Sequence, residues 1–214
     1  KTMLTGVILA GGDHQRMGGE NKALLPIYDE LLIQRQIREM ESICDEIIIV
    51  TNEPKPFLRT VDVSVRIITD FIRDKGPLGG LHAGLSLAEH EEAWVVGCDM
   101  PSISAQAARF MQQFKNEFQL EAVVPRIGGR LEMLHSIYNT SVANAAQLLL
   151  SSGDHRLEQL LHYIRWSEMD SDQFVVRGIE TQFTQTIKTM DDYQQYLRRY
   201  YDLFDSNEKQ QFIE

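Results

Sequence analysis

The stretch TGVILAGGDHQRMGGENK, residues 5–22, joins a strand-like apolar run to a glycine-rich loop. The run TGVILA at 5–10 is typical of a buried β-strand. Glycine permits positive φ and a close approach of the backbone to a ligand, so several N–H groups can point at phosphate oxygens. The loop contains two glycine pairs, Gly11-Gly12 and Gly18-Gly19. This pattern predicts an anion-binding loop at the end of the first strand.

Two cations in the same loop, Arg16 and Lys22, indicate which class of reaction the loop could support. Fixed positive charge lowers the barrier of phosphoryl transfer, because the transition state carries negative charge on its equatorial oxygens. The loop differs from a P-loop, since Lys22 is followed by Ala23 rather than Ser or Thr. It also lacks the G-x-G-x-x-G spacing of dinucleotide dehydrogenases. We therefore expect a phosphate-binding site of another class.

Short β-branched runs and longer helical patterns alternate along the rest of the chain. Further strands are predicted at 46–50, 65–69, 93–98, 121–125 and 134–138. Helices are predicted at 31–44, 81–90, 104–118, near 140–150 and at 156–164, and a polar helix after an extended segment at 181–188. Strands that are apolar on both faces are covered by helices on both sides, which predicts an α/β fold with a mostly parallel sheet.

Composition limits the class of protein. The chain has 214 residues, 43% of them hydrophobic and 24% charged, which is ordinary for a soluble globular protein. No apolar run reaches the roughly 18–20 residues that span a bilayer, and no signal-peptide pattern is present, so we expect a cytoplasmic protein without a membrane partner. The net charge of −10 argues against a nucleic-acid partner. No linker divides the chain, and we expect one domain over 1–214.

The run AWVVGC at 93–98 leads directly into Asp99, Met100 and Pro101. Ligands bind beyond the carboxyl ends of strands in open parallel sheets, and Asp99 lies at such an end. Mg²⁺ takes only one or two protein carboxylates and fills its other positions with phosphate oxygens and water, so one aspartate suffices. The alternative is that Asp99 caps the helix predicted after it, although Ser104 can also do so.

The pattern LAGG-x3-RMGG-x2-K, followed by ALLP at 23–26, resembles the signature of the MobA-type molybdenum cofactor guanylyltransferase family. That resemblance implies a Rossmann-like three-layer αβα fold of the nucleotide-diphospho-sugar-transferase type. It also implies that Arg16 and Lys22 contact the phosphates and that Asp99 binds the metal ion. The remaining nucleotide-binding positions that it implies are Leu9, Ala10, Gly11, Gly12, Asp70, Gly76 and Gly80.

The resemblance extends through VVPRIGGRLEMLHSIYN at 123–139 and SSGDHRLEQLL at 151–161. It implies a nucleotide-binding half at about 1–125 and an acceptor-binding half at about 126–214, with Gly19 and Arg156 on the acceptor side. The family's N-x-N-T-x-E/D-E/D segment corresponds to Thr186–Asp192, where both asparagines are missing. Lys188 stands there instead, and we expect it to meet an anionic acceptor phosphate.

The resemblance implies a Mg²⁺-dependent enzyme that transfers GMP from GTP to molybdopterin and releases pyrophosphate. Molybdenum-insertion proteins and target molybdoenzymes would be its protein partners. One alternative is a related nucleotidyltransferase that uses CTP or another acceptor. A second is a non-catalytic nucleotide-binding adaptor for molybdenum enzymes, although Arg16, Lys22 and Asp99 together favour catalysis.

Overall fold

The computed structural model describes residues 3–12, 16–70 and 75–211 of the chain. Its strands are β1 (Thr5–Leu9), β2 (Arg16–Met17), β3 (Glu20–Asn21), β4 (Pro26–Ile27), β5 (Glu30–Leu31), β6 (Glu46–Val50), β7 (Arg66–Ile68), β8 (Glu92–Gly97), β9 (Ala122–Ile127), β10 (Arg130–Leu131), β11 (Ser136–Asn139) and β12 (Trp166–Asp170). Its helices are α1 (Leu32–Glu41), α2 (Lys55–Leu58), α3 (Gly76–Leu87), α4 (Ala105–Glu117), α5 (Val142–Ser152), α6 (Ser171–Val176) and α7 (Met190–Gln211). Short 3-10 helices lie at Lys22–Leu24, Leu157–His162 and Thr181–Thr184.

Eight strands of these described ranges form one sheet in the order β7-β6-β1-β8-β11-β9, with β10 and β12 both paired to β9. The pairs β1·β6, β1·β8, β6·β7 and β9·β12 are parallel. Strand β11 runs antiparallel to both β8 and β9. The sheet is therefore parallel through its first half and mixed in its second.

Helices cover both faces of this sheet. Successive residues of a strand point to opposite sides, so neighbouring residues of β1 belong to different cores. On one face Ile8 of β1 belongs to a core shared with α1, α4 and α6. On the other face Val7 and Leu9 belong to a core shared with α3 and α5. Gly84 brings α3 close to β1, since a Cβ there would lie 2.6 Å from Val7 Cγ1. The three-layer αβα architecture and the mostly parallel sheet are confirmed.

Several local predictions need correction. Helix α3 begins at Gly76, so the GPLGG segment is its first turn; Pro77 fits there because the first turn has no partner for its missing N–H. The extended segment predicted at 181–188 is wrong, since Thr181–Thr184 forms a 3-10 helix. The helix predicted at 156–164 is also 3-10, at Leu157–His162.

Two further features concern membrane-spanning helices and the two cysteines. Among the helices that the structure describes, none combines the length and apolar character that crossing a bilayer requires. Cys44 and Cys98 are free thiols. Burial raises the pKa of Cys44 to about 12, so this thiol stays protonated at neutral pH.

Candidate active site

A cleft of about 210 Å³ lies at the carboxyl edge of the parallel strands, where the segments after β1, β6, β7 and β8 meet. Its lining includes seven residues that the sequence predicted: Leu9, Gly11, Gly12, Asp70, Gly76, Gly80 and Asp99. Gly12 adopts φ 97° and Gly76 φ 61°, backbone conformations that favour glycine. The parallel topology thus brings together residues that are up to 90 positions apart in sequence.

Other predicted residues lie around this cleft rather than on its lining. Ala10 is 4% exposed, and its N–H donates to the carbonyl of Val50 at 2.8 Å. Lys22 is only 5% exposed. Gly19 is exposed in the turn between β2 and β3, with φ 86°. The side chain of Arg16 lies outside the described part of the chain, as do residues 13–15 of the loop and 71–74 after Asp70.

Two glycines make room for the two acidic groups. A Cβ at Gly97 would lie 2.8 Å from Oδ1 of Asp99, so the carboxylate occupies the space that a side chain would need. A Cβ at Gly79 would overlap Oδ2 of Asp70. Neither glycine was among the predicted site residues, although Gly79 stands within GPLGG and Gly97 directly precedes Cys98. The placement of both carboxylates depends on glycine at these positions.

The main chain around Asp99 is held by hydrogen bonds from two directions. The N–H of Cys98 donates to the carbonyl of Leu9 at 3.0 Å, which ties this turn to the glycine loop. The N–H of Ile187 donates to the carbonyl of Asp99 itself at 2.8 Å. The capping alternative for Asp99 is excluded, because Oγ of Ser104 accepts the N–H of Ala107 at the start of α4.

Burial and nearby cations act on Asp99 in opposite directions. Burial raises the pKa of its carboxyl, because the charged form loses contact with water. The positive charges of Lys22 and Lys188 partly offset this rise in pKa. The thiol of Cys98 is fully buried, and burial raises its pKa well above the usual range. Cys98 is therefore a protonated core residue at neutral pH. Its neighbour Asp99 lines the cleft, and its carboxylate is the group of the two that can carry a negative charge there.

Lys188 and Glu132 are two charged residues that do not line the cleft but interact with each other. Burial raises the pKa of Glu132, while the charges of Arg130 and Lys188 oppose that rise. Lys188 is exposed and within electrostatic reach of both Glu132 and Asp99. An anion bound beside Asp99 would meet this ammonium group.

The following residues in the same segment cap a helix. Oδ2 of Asp192 accepts the N–H groups of Lys188 and Thr189 at 2.9 and 3.0 Å, and Oγ1 of Thr189 accepts the N–H of Asp192 at 3.1 Å. These bonds satisfy N–H groups at the start of α7 that have no intrahelical partner. The threonine and aspartate in this segment therefore have a structural role, and Lys188 precedes that cap.

Arg156 does not line the cleft. Its guanidinium pairs with the carboxylate of Asp154 at 2.9 Å and is 70% exposed at the side chain. The neighbouring His155 lies closer to the site, because its Nε2 is 3.3 Å from Nζ of Lys75, which lines the cleft. Two nitrogens of the Arg156 guanidinium, Nε and Nη2, donate to the carboxylate of Asp154.

Sequence reasoning missed several lining residues: Thr51, Asn52, Lys75 and Leu134. The rule that ligands bind beyond strand ends indicated the segment after residue 50. A Thr-Asn pair after a strand has no distinctive spacing, so only its place on the sheet edge identifies it. A larger cavity, of about 720 Å³, lies between α7 and the start of α4 and contains neither Asp99 nor the glycine loop.

Within residues 3–12, 16–70 and 75–211, no cluster of three or more His, Cys, Asp or Glu side chains is arranged to hold a metal ion. Asp70 and Asp99 both lie on the lining of the cleft, and a metal ion could use the carboxylate of Asp99 together with ligand oxygens. The donor set suits an ion that takes one carboxylate and completes its shell with phosphate and water, as Mg²⁺ does.

Comparison with known proteins places this geometry among nucleotidyltransferases. Residues 6–170 match the family described as MobA-like NTP transferase domain. The molybdenum cofactor guanylyltransferase of Syntrophotalea carbinolica is 34% identical over 163 residues, which cover 74% of this chain and 76% of that protein. The molybdenum cofactor guanylyltransferase of Desulfosudis oleivorans is 31% identical over 162 residues, 76% of this chain and 78% of that protein.

Among solved structures, the molybdopterin-guanine dinucleotide biosynthesis protein A of Archaeoglobus fulgidus has the same fold. It superposes with a TM-score of 0.77 and covers 94% of this chain and 99% of that one, at 19% identity. At that identity the likeness shows the fold alone.

Proposed function

This chain belongs to the MobA-like NTP transferase family, and we propose that it transfers GMP from GTP to molybdopterin with release of pyrophosphate. One observation carries the proposal: the start of the glycine loop, Asp70, the start of α3 and Asp99 line one cleft at the carboxyl edge of the sheet. The names of the curated relatives support guanylyl transfer to the molybdenum cofactor.

On the donor side we assign the triphosphate to the glycine loop. The N–H groups of Gly11 and Gly12 line the cleft and can donate to phosphate oxygens. Lys22 and Arg16 supply the charge that stabilises the leaving pyrophosphate. The first turn of α3 also faces the cleft through Gly76 and Gly80, and the positive end of a helix dipole favours an anion there. Asp70 is assigned to the guanine or the ribose.

We assign a Mg²⁺ ion to Asp99, whose half-buried carboxylate lies on the lining of the cleft. Bound Mg²⁺ would act as a Lewis acid that neutralises charge at the α-phosphate. The carboxylate must be ionised for this role, and its raised pKa means that it protonates at a higher pH than an ordinary aspartate does. Lys22 and Lys188 counter that rise and help to keep the ligand charged.

On the acceptor side we assign residues from about 126 to 214, together with Gly19, whereas about 1–125 hold the nucleotide. The terminal phosphate of molybdopterin is the nucleophile, and it is largely ionised at neutral pH, so positioning replaces general-base catalysis. Lys188 would bind this phosphate, and Arg156 would reach the pterin after releasing Asp154. Molybdenum-insertion proteins and target molybdoenzymes would receive the product.

The test is pyrophosphate release with GTP, CTP, ATP and UTP, each assayed with and without molybdopterin. We expect release with GTP that depends on both Mg²⁺ and molybdopterin. Use of CTP with no reaction of GTP would overturn the choice of nucleotide. Binding of GTP without release under any acceptor condition would support a non-catalytic adaptor instead.

A further inference from the structure

Gln36 on α1 is fully buried and contacts the turn that carries Asp99. Its side-chain amide nitrogen donates to the carbonyl of Gly97 at 2.8 Å and to the carbonyl of Met100 at 2.9 Å. Carbonyl oxygens only accept hydrogen bonds, so the nitrogen of this amide, and not its oxygen, must face them. Both N–H groups of the side chain are therefore committed to one turn.

The two carbonyls lie on either side of Cys98 and Asp99 in the chain. One amide thus fixes the main chain immediately before and immediately after the proposed metal ligand. The next carbonyl, that of Pro101, accepts from Nε of Arg35 at 3.0 Å, also from α1. Removing the Gln36 amide would take this donor from both carbonyls. The Gly97 carbonyl would keep the N–H of Met100 at 3.3 Å, and the loss of buried hydrogen bonds is costly.

Gln36 stands in an otherwise apolar face of α1. The helix buries Leu32, Ile33, Ile37 and Met40 beside it. Glutamine is rarely buried, and packing alone would favour an aliphatic residue at this position. In the described part of the chain its Oε1 has no hydrogen-bond partner. The buried oxygen without a partner is unfavourable for stability. The favourable contacts of this side chain are its two hydrogen bonds to the Asp99 turn.

We propose that Gln36 is a positioning residue that holds Asp99 in the geometry that binds the metal ion and the nucleotide. This inference rests on the proposed function, because it assumes that Asp99 is the metal ligand. Gln36 acts through the main chain of residues 97–100 and touches neither substrate. Groups that orient a metal ligand affect metal affinity as well as turnover, since the ligand's direction sets the strength of the metal bond.

The test compares Gln36→Met with Gln112→Met. Gln112 on α4 is also a buried glutamine, 3% exposed, whose amide nitrogen donates to Oε1 of Glu92 at 3.1 Å. Glu92 begins β8, so this bond lies at the opposite end of the strand from Asp99. Methionine keeps the length of the side chain and removes the amide in both variants. Each therefore loses buried hydrogen bonds, but only one loses them at the Asp99 turn.

Binding of Mn²⁺ in the presence of GTP, without acceptor, is measured by electron paramagnetic resonance, and thermal unfolding is recorded for each variant. We expect Gln36→Met to weaken Mn²⁺ binding by about tenfold or more and to raise the Mg²⁺ concentration needed for half-maximal transfer. Gln112→Met should lower the melting temperature and leave Mn²⁺ affinity at the wild-type value. Gln36→Asn, which keeps the amide but is one methylene shorter, serves if the methionine variant does not fold.

Equal Mn²⁺ affinity in the Gln36 and Gln112 variants, with wild-type binding intact, would overturn the positioning role even if GMP transfer is demonstrated. If wild-type protein binds Mn²⁺ and GTP but transfers no GMP to molybdopterin, the proposed function fails. In that case a selective loss of Mn²⁺ binding in the Gln36 variant would still support the positioning role. The two failures are therefore distinguishable.

Discussion

The two sides of the main sheet use different means to build their parts of the site. Around β1 the strands run parallel, and the cleft is shaped by main chain, by glycine and by buried carboxylates. Beyond β8 the sheet is mixed, and two long charged side chains, Glu132 and Lys188, interact there. Changes on the first side should therefore damage chemistry severely, whereas changes on the second should alter affinity for one substrate.

The largest effect is expected from Asp99→Asn, which removes the proposed metal ligand on the parallel side. Transfer of GMP should fall by at least about a thousandfold, because charge stabilisation by the metal ion is lost. Pyrophosphate release at saturating GTP measures this loss. Asp62→Asn is the control: that carboxylate is exposed and accepts the N–H of Ser64 at 2.9 Å, away from the cleft. Wild-type rates in the Asp99 variant would remove the metal assignment.

A second change tests whether space, as well as charge, shapes the parallel side. In Gly97→Ala the new methyl group would lie 2.8 Å from Oδ1 of Asp99 and displace the carboxylate. The turnover number should fall by about a hundredfold, as expected for a displacement of about 1 Å at a reacting centre.

Gly6→Ala is the matched control for this change. Its methyl group would meet the flexible Met40 side chain, 2.6 Å from Sδ, at the amino end of β1. It should change stability and leave turnover per folded molecule at the wild-type value. If the two alanine variants lose turnover equally, the carboxylate is not confined by Gly97.

The acceptor side is tested by Lys188→Met. The KM for molybdopterin should rise about tenfold, which corresponds to about 1.4 kcal/mol, while the KM for GTP stays unchanged. The reason is that we assign the exposed ammonium to the acceptor phosphate, whereas Lys22 remains to offset the raised pKa of Asp99 on the donor side. Steady-state kinetics with each substrate varied in turn separates the two constants. Lys55→Met removes an exposed lysine on α2 and should change neither. A rise in the KM for GTP would move Lys188 to the donor side.

The smallest effect concerns the seam between the two sides, where His135 is buried between the rings of Trp94 and Phe183. Its Nε2 accepts the N–H of Ser104 at 3.0 Å, and burial lowers its pKa to about 3. The unfolded chain protonates this residue near its ordinary pKa of about 6.5, so it binds a proton that the folded state does not. Stability is therefore lost as the pH falls from that value towards 3.

His135→Asn removes this titration and suits the positive φ of 68° at this position. The variant should be less stable than the wild type at pH 7. Its free energy of unfolding should also fall less steeply between pH 6 and pH 4, by up to about 1.4 kcal/mol per pH unit. Urea unfolding at several pH values measures both slopes. Parallel slopes would mean that His135 is protonated in the folded state.

The sequence predicted the parallel side well because its signals are local. The runs that form β1, β6 and β8 are apolar on both faces, and a residue that follows such a strand must lie at the ligand edge. Asp70 and Asp99 could be placed in this way. The contributions of Gly97 and Gly79 could not, because they depend on the direction of neighbouring carboxylates rather than on any motif.

The other side depends on contacts that are distant in sequence. Strand β12 has an alternating, half-exposed pattern and forms only because β9 offers an edge to pair with, so it was not predicted. The segment at 181–188 contains β-branched residues and looked extended, but its Phe183 and Ile187 are buried in separate clusters, and a 3-10 turn lies between Thr181 and Thr184. The pairing of Arg156 with Asp154 is local, two residues apart, and follows from loop geometry that no sequence pattern indicated.

The hydrogen bond from Ile187 to the carbonyl of Asp99 has a consequence for how such an enzyme can change over evolution. The bond joins two main-chain groups, so it does not require particular side chains at 186 or 188. On the proposed assignment, the segment could therefore change residues that face the acceptor without releasing the turn that holds Asp99; it carries Thr186 and Lys188 where the family pattern has asparagines. Divergence in acceptor choice is compatible with a constant donor chemistry because the backbone, and not the side chains, links the two.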